Sequence, residues 1–474
     1  MLRELRIKNF KNWQDTDPIK MAPITLFFGT NSSGKSSIGQ LLMMLRQTVD
    51  SQDRKAIFYP GGKNTAVQLG SYLEMVYHRN KDNKISFEYT WDLRKNIKFK
   101  DPLSGSQYQG KQLSFSATVG MTGEDHHTVV LDSFNYSLLK GNNISLSIGM
   151  NRRESSKIEY EVIAEDYQLK RNPGRVWYPS TTVRFYGFPD EVVAYYKNAD
   201  FVQTLNLEQE KLFQSVFYLG PLRTKTERLY SWAGIIPEDV GYGGENAVAA
   251  MLAAQERKIS LGYKRQAKPF MQLIAEKLKE MGLIEKFKVN PISETRQEYE
   301  VKVCTTGSHD FVDLPDVGFG ISQVLPVLVQ CFYAPQGSII IIEQPEIHLH
   351  PSAQAALADV FIDVINSREN GKDRNIQLII ETHSEHFLRR LQRRIAENKK
   401  PKEISRKDVS AYFAMASKTP AKLEPLQIDL FGNITNWPEN FFGDEMGDIT
   451  AQAKAAMLKR KAMIKNKVDT VNNE

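Results

Sequence analysis

The octapeptide GTNSSGKS, Gly29 to Ser36, constrains this chain more than any other stretch. It satisfies G-x-x-x-x-G-K-[S/T] at every defined position and stands between an apolar run, ITLFF, and an amphipathic run, SIGQLLMMLRQTV. A strand that turns through glycines into a helix aims successive backbone N–H groups, and the positive end of that helix, at one point in space. Phosphate oxygens satisfy such a cradle. Gly29 and Gly34 permit the curl, Asn31 and Ser37 complete the contact set, Lys35 supplies a point charge for β- and γ-phosphates, and Ser36 offers a hydroxyl to magnesium. A Gly/Ser turn that binds nothing would need neither flanking element. The loop therefore predicts an α/β fold of the P-loop NTPase kind, with ATP and Mg2+ as ligands, and requires a downstream strand carrying a metal-side carboxylate.

That strand is read in SIIIIEQPEIHLHP, Ser338 to Pro351. Consecutive isoleucines mark a strand covered on both faces, and Glu343 at its end is the metal-side candidate, which the parallel sheet is expected to set beside Ser36. The next residue is Gln344, where water activation would call for a carboxylate. An amide orients water but cannot take its proton, and a missing general base costs about 10²–10⁴-fold in rate. Either Glu346, two positions beyond Gln344 and turned by Pro345, takes over as base, or the protein turns over slowly and spends long periods as an ATP-clamped dimer. The second reading is favoured, because glutamine positions water in GTPases. Further on, LIIETHSEHF ends another buried-type strand in His383, at the carboxyl edge where ligands of open α/β sheets gather. A lone strand-end histidine is commonly structural; the order of elements favours a γ-phosphate sensor. His348 and His350 alternate with apolar residues and are read as loop-packing groups, since a zinc site would want further ligands.

Upstream, DVGFGISQVLPVLVQCF sets Gly318 and Gly320 at the start of an apolar helix whose first turn carries Ser322. This is a second anion-seeking helix terminus. One nucleotide cannot easily use two such termini from one subunit.

The remaining pattern divides the chain. Residues 1–83 form the phosphate-loop part, with LRELRIKNFKNW as an edge strand; 84–217 are a β-meander insertion of short alternating runs such as KISFEYTW and QLSFSATV. Residues 218–310 form a helical subdomain, 311–425 the second part of the ATPase domain, and 426–474 a C-terminal segment with a basic helical tail. Hydrophobic residues at 41% and charged residues at 25% argue against wholesale disorder. No apolar run approaches the ~20 residues that cross a bilayer, and MLRELRIKNF lacks a signal-peptide core, so a cytoplasmic location without membrane partners is expected. Cys304 and Cys331 could form one bridge at most and show no metal-ligand spacing. The net charge of +6 permits nucleic acid without demanding it. The candidate contacts are Arg389, Arg390, Arg393 and Arg394, with Lys459, Arg460 and Lys461 in the tail; the bland alternative is a solvated helix face.

The order of phosphate loop, glycine–serine segment, EQPEIHLHP and ETHSEHFL resembles the ATP-binding-cassette ATPases of the OLD, RecF and SMC groups. NWPENFFGDE is similar to the W-P-x-x-F-F segment that ends certain bacterial AAA-type ATPases. The resemblance covers the two α/β blocks and the tail, and leaves the β-meander aside. It implies a cassette-type fold, a mixed β-sheet flanked by helices, with ATP and Mg2+ bound through Gly34, Lys35, Ser36 and Glu343. It also implies a contact in trans from Gly320 and Ser322, sensing by His383, and a homodimer or higher homo-oligomer. Gln68 in AVQLGSY stands where a magnesium-contacting glutamine loop lies in such proteins. Related OLD proteins carry a metal-dependent nuclease domain after the ATPase; no spaced acidic cluster follows His383, so this chain is not expected to cut DNA. Similarity to the ATPases of anti-phage defence operons such as Septu implies a sensor subunit controlling a separately encoded nuclease or toxin. The alternative is a DNA-repair or DNA-binding ATPase that holds DNA or RNA through its basic helix and tail. A transport cassette is disfavoured, because the β insertion interrupts what would be its compact core.

Overall fold

Runs that are apolar at every position become central parallel strands, because a strand covered on both faces buries consecutive side chains. Val216–Leu219, Ile339–Glu343, Gln377–Glu381, Ile24–Gly29 and Val409–Met415 lie parallel in that spatial order, and Lys422–Pro425 adds an antiparallel edge. Runs that alternate form a second, antiparallel sheet in the order Trp13–Asp15, Leu2–Phe10, Ile85–Lys100, Gln107–Thr122, Thr128–Lys140, Asn143–Arg152, Tyr160–Glu165. One face of this sheet is buried, as the period of two requires: Phe87, Tyr89 and Trp91 point inward while Glu88 is exposed. The computed structural model describes residues 1–474 except 123–127, 142, 156, 175, 294–295, 306, 309, 400–402, 417–419, 439–440, 443–444 and 472–474, and does not describe the side chains of 445–446 and 461–471. Glu439, Asn440, Gly443 and Asp444 of the W-P-x-x-F-F segment, and the Lys461 side chain, thus lie outside the described residues.

The helix that follows the phosphate loop, Lys35–Asp50, is held between the two sheets. A helix apolar all round must be covered all round, and Leu41, Leu42, Met43, Met44 and Leu45 are all buried. They share one core with Phe87, Tyr89 and Trp91 of the antiparallel sheet and with Ile339, Ile341 and Ile379 of the parallel one. The alternate residues Ile340, Ile342, Leu378 and Ile380 face the other way, into a second core with the helices Phe319–Tyr333, Pro351–Asn366 and Glu385–Glu397. Mixed sheets with helices on both faces of the parallel layer make this an α/β fold.

Two placements differ from the sequence expectation. LRELRIKNF is not an edge strand of the nucleotide unit; it pairs with Trp13–Asp15 on one side and Ile85–Lys100 on the other, inside the antiparallel sheet. Alternation reports one-sided burial, which an inner antiparallel strand and an edge strand share. The β-rich stretch after residue 84 therefore shares a sheet with the first residues of the chain, and Val216–Leu219, at its far end, is instead the outer parallel strand. Both cysteines are free and buried, and burial pushes the Cys331 thiol up to about 12. Among the described residues no helix is long and apolar enough to cross a membrane.

Candidate functional site

The phosphate loop owes its shape to two glycines. Gly29 has φ 140°, and a Cβ there would collide with the carbonyl oxygen of Ala414 on the neighbouring strand; Gly34, at φ 94°, caps the helix. Gly29→Ala is expected to cost roughly 1–3 kcal/mol from the backbone conformation alone, read as a lower urea midpoint together with loss of nucleotide binding. The Lys35 ammonium folds back on the loop, donating to Gly29 O at 3.1 Å, Thr30 O at 2.7 Å and Ser33 Oγ at 3.5 Å. Burial lowers its pKa, and the nearby Glu381 opposes that shift. The turn after Leu2–Phe10 braces the loop from outside. Trp13 Nε1 donates to Ser37 Oγ at 2.8 Å and to Gly34 O at 3.2 Å, and Asn12 Nδ2 donates to Ser32 O at 3.0 Å. Lys11 Nζ donates to Gln40 Oε1 at 2.8 Å. A cavity of about 500 Å3 opens here, lined by residues 31–37 together with Lys11, Asn12, Gln40, Gln344, Glu381 and His383.

Strand order decides which carboxylate adjoins the loop. Glu343 is level with Glu381, and Glu381 is level with Phe27, so Gln377–Glu381 stands between the isoleucine strand and the loop strand. Glu343 is expected beside Ser36, and the strand order sets one strand between the two. Glu381 holds the adjoining place, its Oε1 4.0 Å from Lys35 Nζ and its side chain lining the same cavity as Ser36. Glu343 is 7% exposed and accepts from Tyr218 Oη at 2.9 Å. Burial first, and then the charge of Glu381, raises its pKa to about 7. Behind it, Arg223 donates to the Glu343 carbonyl at 3.2 Å, its own pKa lowered to about 10 by burial.

Gln344 does reach the cavity. It takes φ 45°, a left-handed conformation uncommon away from glycine, and its backbone N–H donates to Glu381 O at 2.8 Å. Glu346 does not line that cavity. It is 8% exposed, and its Oε1 accepts the backbone N–H of His383 at 2.6 Å, so its carboxylate holds the histidine loop in place. His383 faces the cavity, and desolvation with the charge of Lys35 lowers its pKa, leaving the ring neutral at pH 7.

The other candidates lie apart from the loop. Gln68 is exposed and does not line the cavity. Ser322 Oγ donates to Phe319 O at 2.7 Å and borders a separate cavity with Thr224 and Asn246. Gly318 and Phe319 before it are exposed, Phe319 at 75%, while Gly320 backs closely on the His348 carbonyl. His350 caps the helix Pro351–Asn366 by accepting from Ser352, and among the described residues no group of three or more His, Cys, Asp or Glu could hold a metal ion by itself. A divalent ion here would draw its remaining oxygens from phosphate and water, as magnesium does. The glycine-shaped cradle, the Ser36 hydroxyl and the acidic strand ends fit that group.

The arginine stripe is largely neutralised. Arg390 and Arg394 both donate to Asp359, at 2.6 and 2.7 Å; Arg393 pairs with Glu397 at 2.7 Å, and Arg389 with Glu385 at 3.2 Å. Arg389 also lies 5.0 Å over Trp437. Around that tryptophan the W-P-x-x-F-F segment folds back on the sheet. Phe441 stacks 4.7 Å from Phe413 and 5.3 Å from Phe28 of the loop strand, with Trp437 5.0 Å away.

Sequence reasoning passed over Lys11, Asn12, Gln40 and Glu381. A legible signal existed for the last, a glutamate ending a buried strand immediately before Thr382-His383.

Residues 404–452 match a family described as a protein of unknown function (DUF3696). An ATP/GTP phosphatase of Helicobacter pylori is 24% identical over 403 residues, covering 84% of this chain and 89% of the relative. Among solved structures, the SMC head domain from Thermotoga maritima matches with 9% identity and a TM-score of 0.41, over 90% of this chain and 99% of that one. An Smc head bound to the C-terminal winged-helix domain of ScpA matches with 9% identity and a TM-score of 0.41, over 90% and 98%. Residues 1–173 and 249–388, more than half of the chain, match the AAA ATPase domain model, and the chain belongs to that family.

Proposed function

We propose that two copies of this chain clamp ATP and Mg2+ between them in the cytoplasm, hydrolyse the nucleotide slowly, and through that clamp control a separately encoded effector. The observation that carries slow turnover is Gln344. It lines the cavity where a carboxylate would take the proton of the attacking water, while Glu346, the nearest substitute in sequence, does not line it and gives one carboxylate oxygen to the His383 backbone N–H. Pairing is supported by the exposed Gly318–Phe319 segment, which lies away from the chain's own phosphate loop. Bound magnesium would neutralise charge developing on the phosphates. Lys35 and the loop amides would hold the phosphates, Gln344 would orient water, and neutral His383 would donate to the transferred group. The effector, a nuclease or toxin of anti-phage defence, rests on resemblance of motif order. Direct nucleic-acid binding is less well supported, because the arginine stripe is paired with carboxylates, which leaves Lys459 and Arg460 in the tail as exposed cations for that role.

Single-turnover hydrolysis tests the base assignment. Gln344→Glu is expected to speed the chemical step, and Glu346→Gln to slow it by less than the about 10²–10⁴-fold of a lost base. Hydrolysis unchanged in the first and abolished in the second would make Glu346 the base and end the slow-clamp reading. Light scattering with excess Mg-ATP tests the pair; a persistent monomer would refute it.

A further inference from the structure

We propose that Glu381 is a metal-holding carboxylate of the ATP site, placed nearer the phosphate loop than Glu343. The inference rests on the reading of the cavity as a Mg-ATP site. It begins from strand order: Glu381 is the last residue of the strand that touches the loop strand, level with Phe27, and its side chain is 11% exposed. Ending a buried strand in a carboxylate is costly unless that group is satisfied.

Its partners do not satisfy it. Glu381 Oε2 is buried with no donor in hydrogen-bonding geometry. Lys35 is the nearest cation, at 4.0 Å, but an ammonium has three hydrogens, and Gly29 O, Thr30 O and Ser33 Oγ already accept from it. The ion pair is therefore neither close nor needed by the lysine. What the carboxylate does share is the cavity wall with Ser36, whose hydroxyl the loop motif directs to magnesium. That placement puts Glu381 on the metal side of the phosphates, with Gln344 in the same cavity wall.

The neighbouring strand end completes the case. Glu343 and Glu381 are paired in register, so two carboxylates stand level at the ends of adjacent strands. Hard oxygen ligands of this kind suit Mg2+ or Mn2+, and a divalent ion would relieve their mutual repulsion. In this arrangement the acid that the isoleucine strand lacks after Glu343, where Gln344 stands, reappears on the next strand. It serves the metal there and takes no proton from water.

The test separates metal from nucleotide. Affinity for ATPγS is measured by calorimetry on the full chain, in EDTA and in excess Mg2+, for the parent, Glu381→Gln and, should the amide unfold the protein, Glu381→Thr. Binding of Mn2+ to the nucleotide complex is followed by electron paramagnetic resonance. In EDTA the variant should bind ATPγS as tightly as the parent or more tightly, since a negative charge beside the phosphates is gone. The gain on adding Mg2+, and the Mn2+ affinity, should fall about tenfold or more. A magnesium gain within about threefold of the parent, or an equal loss of affinity with and without metal, would overturn the assignment; the latter would make Glu381 a structural prop. A parent that binds no ATPγS under either condition would instead overturn the reading of the cavity as an ATP site.

Discussion

Alanine at position 35 is expected to lower ATP hydrolysis by about 10²–10³-fold or more, the loss seen when one preorganised donor to a transition-state charge is removed. The effect is large because Lys35 has two tasks. With phosphate bound it supplies a positive charge that burial makes strong; without phosphate it ties Gly29, Thr30 and Ser33 into the loop's curl. Lys35→Ala should therefore lose nucleotide affinity as well as rate. Lys35→Arg keeps the charge but not the compact ammonium that fits three acceptors within the loop. Calorimetric binding of Mg-ATP, with steady-state phosphate release, reads both tasks. Retained affinity in Lys35→Ala would mean that phosphate sits elsewhere.

Glu343→Gln is expected to stabilise the metal-free protein while removing its response to Mg-ATP. The Glu343 carboxyl is held at about pKa 7 against an ordinary 4.5, chiefly by burial. As pH falls through that interval the folded state takes up a proton that the unfolded chain does not yet bind. The destabilisation is therefore fully present above about pH 7, shrinks as pH falls, and is gone below 4.5. Glutamine carries no such charge and can still accept from Tyr218. At pH 8 the variant should be more stable by ~3 kcal/mol, and by progressively less towards pH 4.5. Urea unfolding at pH 5 and pH 8 measures the difference. A bound divalent ion would offset the same burial penalty in the parent, so Mg-ATP should raise the parent's midpoint more than the variant's. A variant less stable than the parent at pH 8 would show that Glu343 is ionised and well paired without metal.

The two glutamates show what could be read before folding. Glu343 was legible because its strand is a run of isoleucines and its neighbours EQPE form a contiguous pattern. Glu381 ends an equally buried strand, yet nothing within its own segment says that this strand inserts next to the loop. Glu346 looked like a spare base two positions past Gln344, and only the return of residue 383 to its side gave it a backbone partner. Arg389, Arg390, Arg393 and Arg394 do lie on one helix, while the carboxylate that neutralises two of them, Asp359, comes from a different helix. The N-terminal strand had the right period and the wrong sheet.

By itself, then, the order of residues determined the phosphate loop, the helix behind it, the buried strands and the residues at their carboxyl ends. Each depends on backbone conformation or side-chain period over a few consecutive positions, where glycine placement and apolar spacing act directly. Tertiary structure alone decided which strand lies beside which, hence which acid adjoins the phosphate loop, which carboxylates are already engaged, and which charges are cancelled. Those outcomes depend on pairings between segments hundreds of residues apart, as between Ile24–Gly29 and Gln377–Glu381, and hydrophobic period does not label a strand's neighbour.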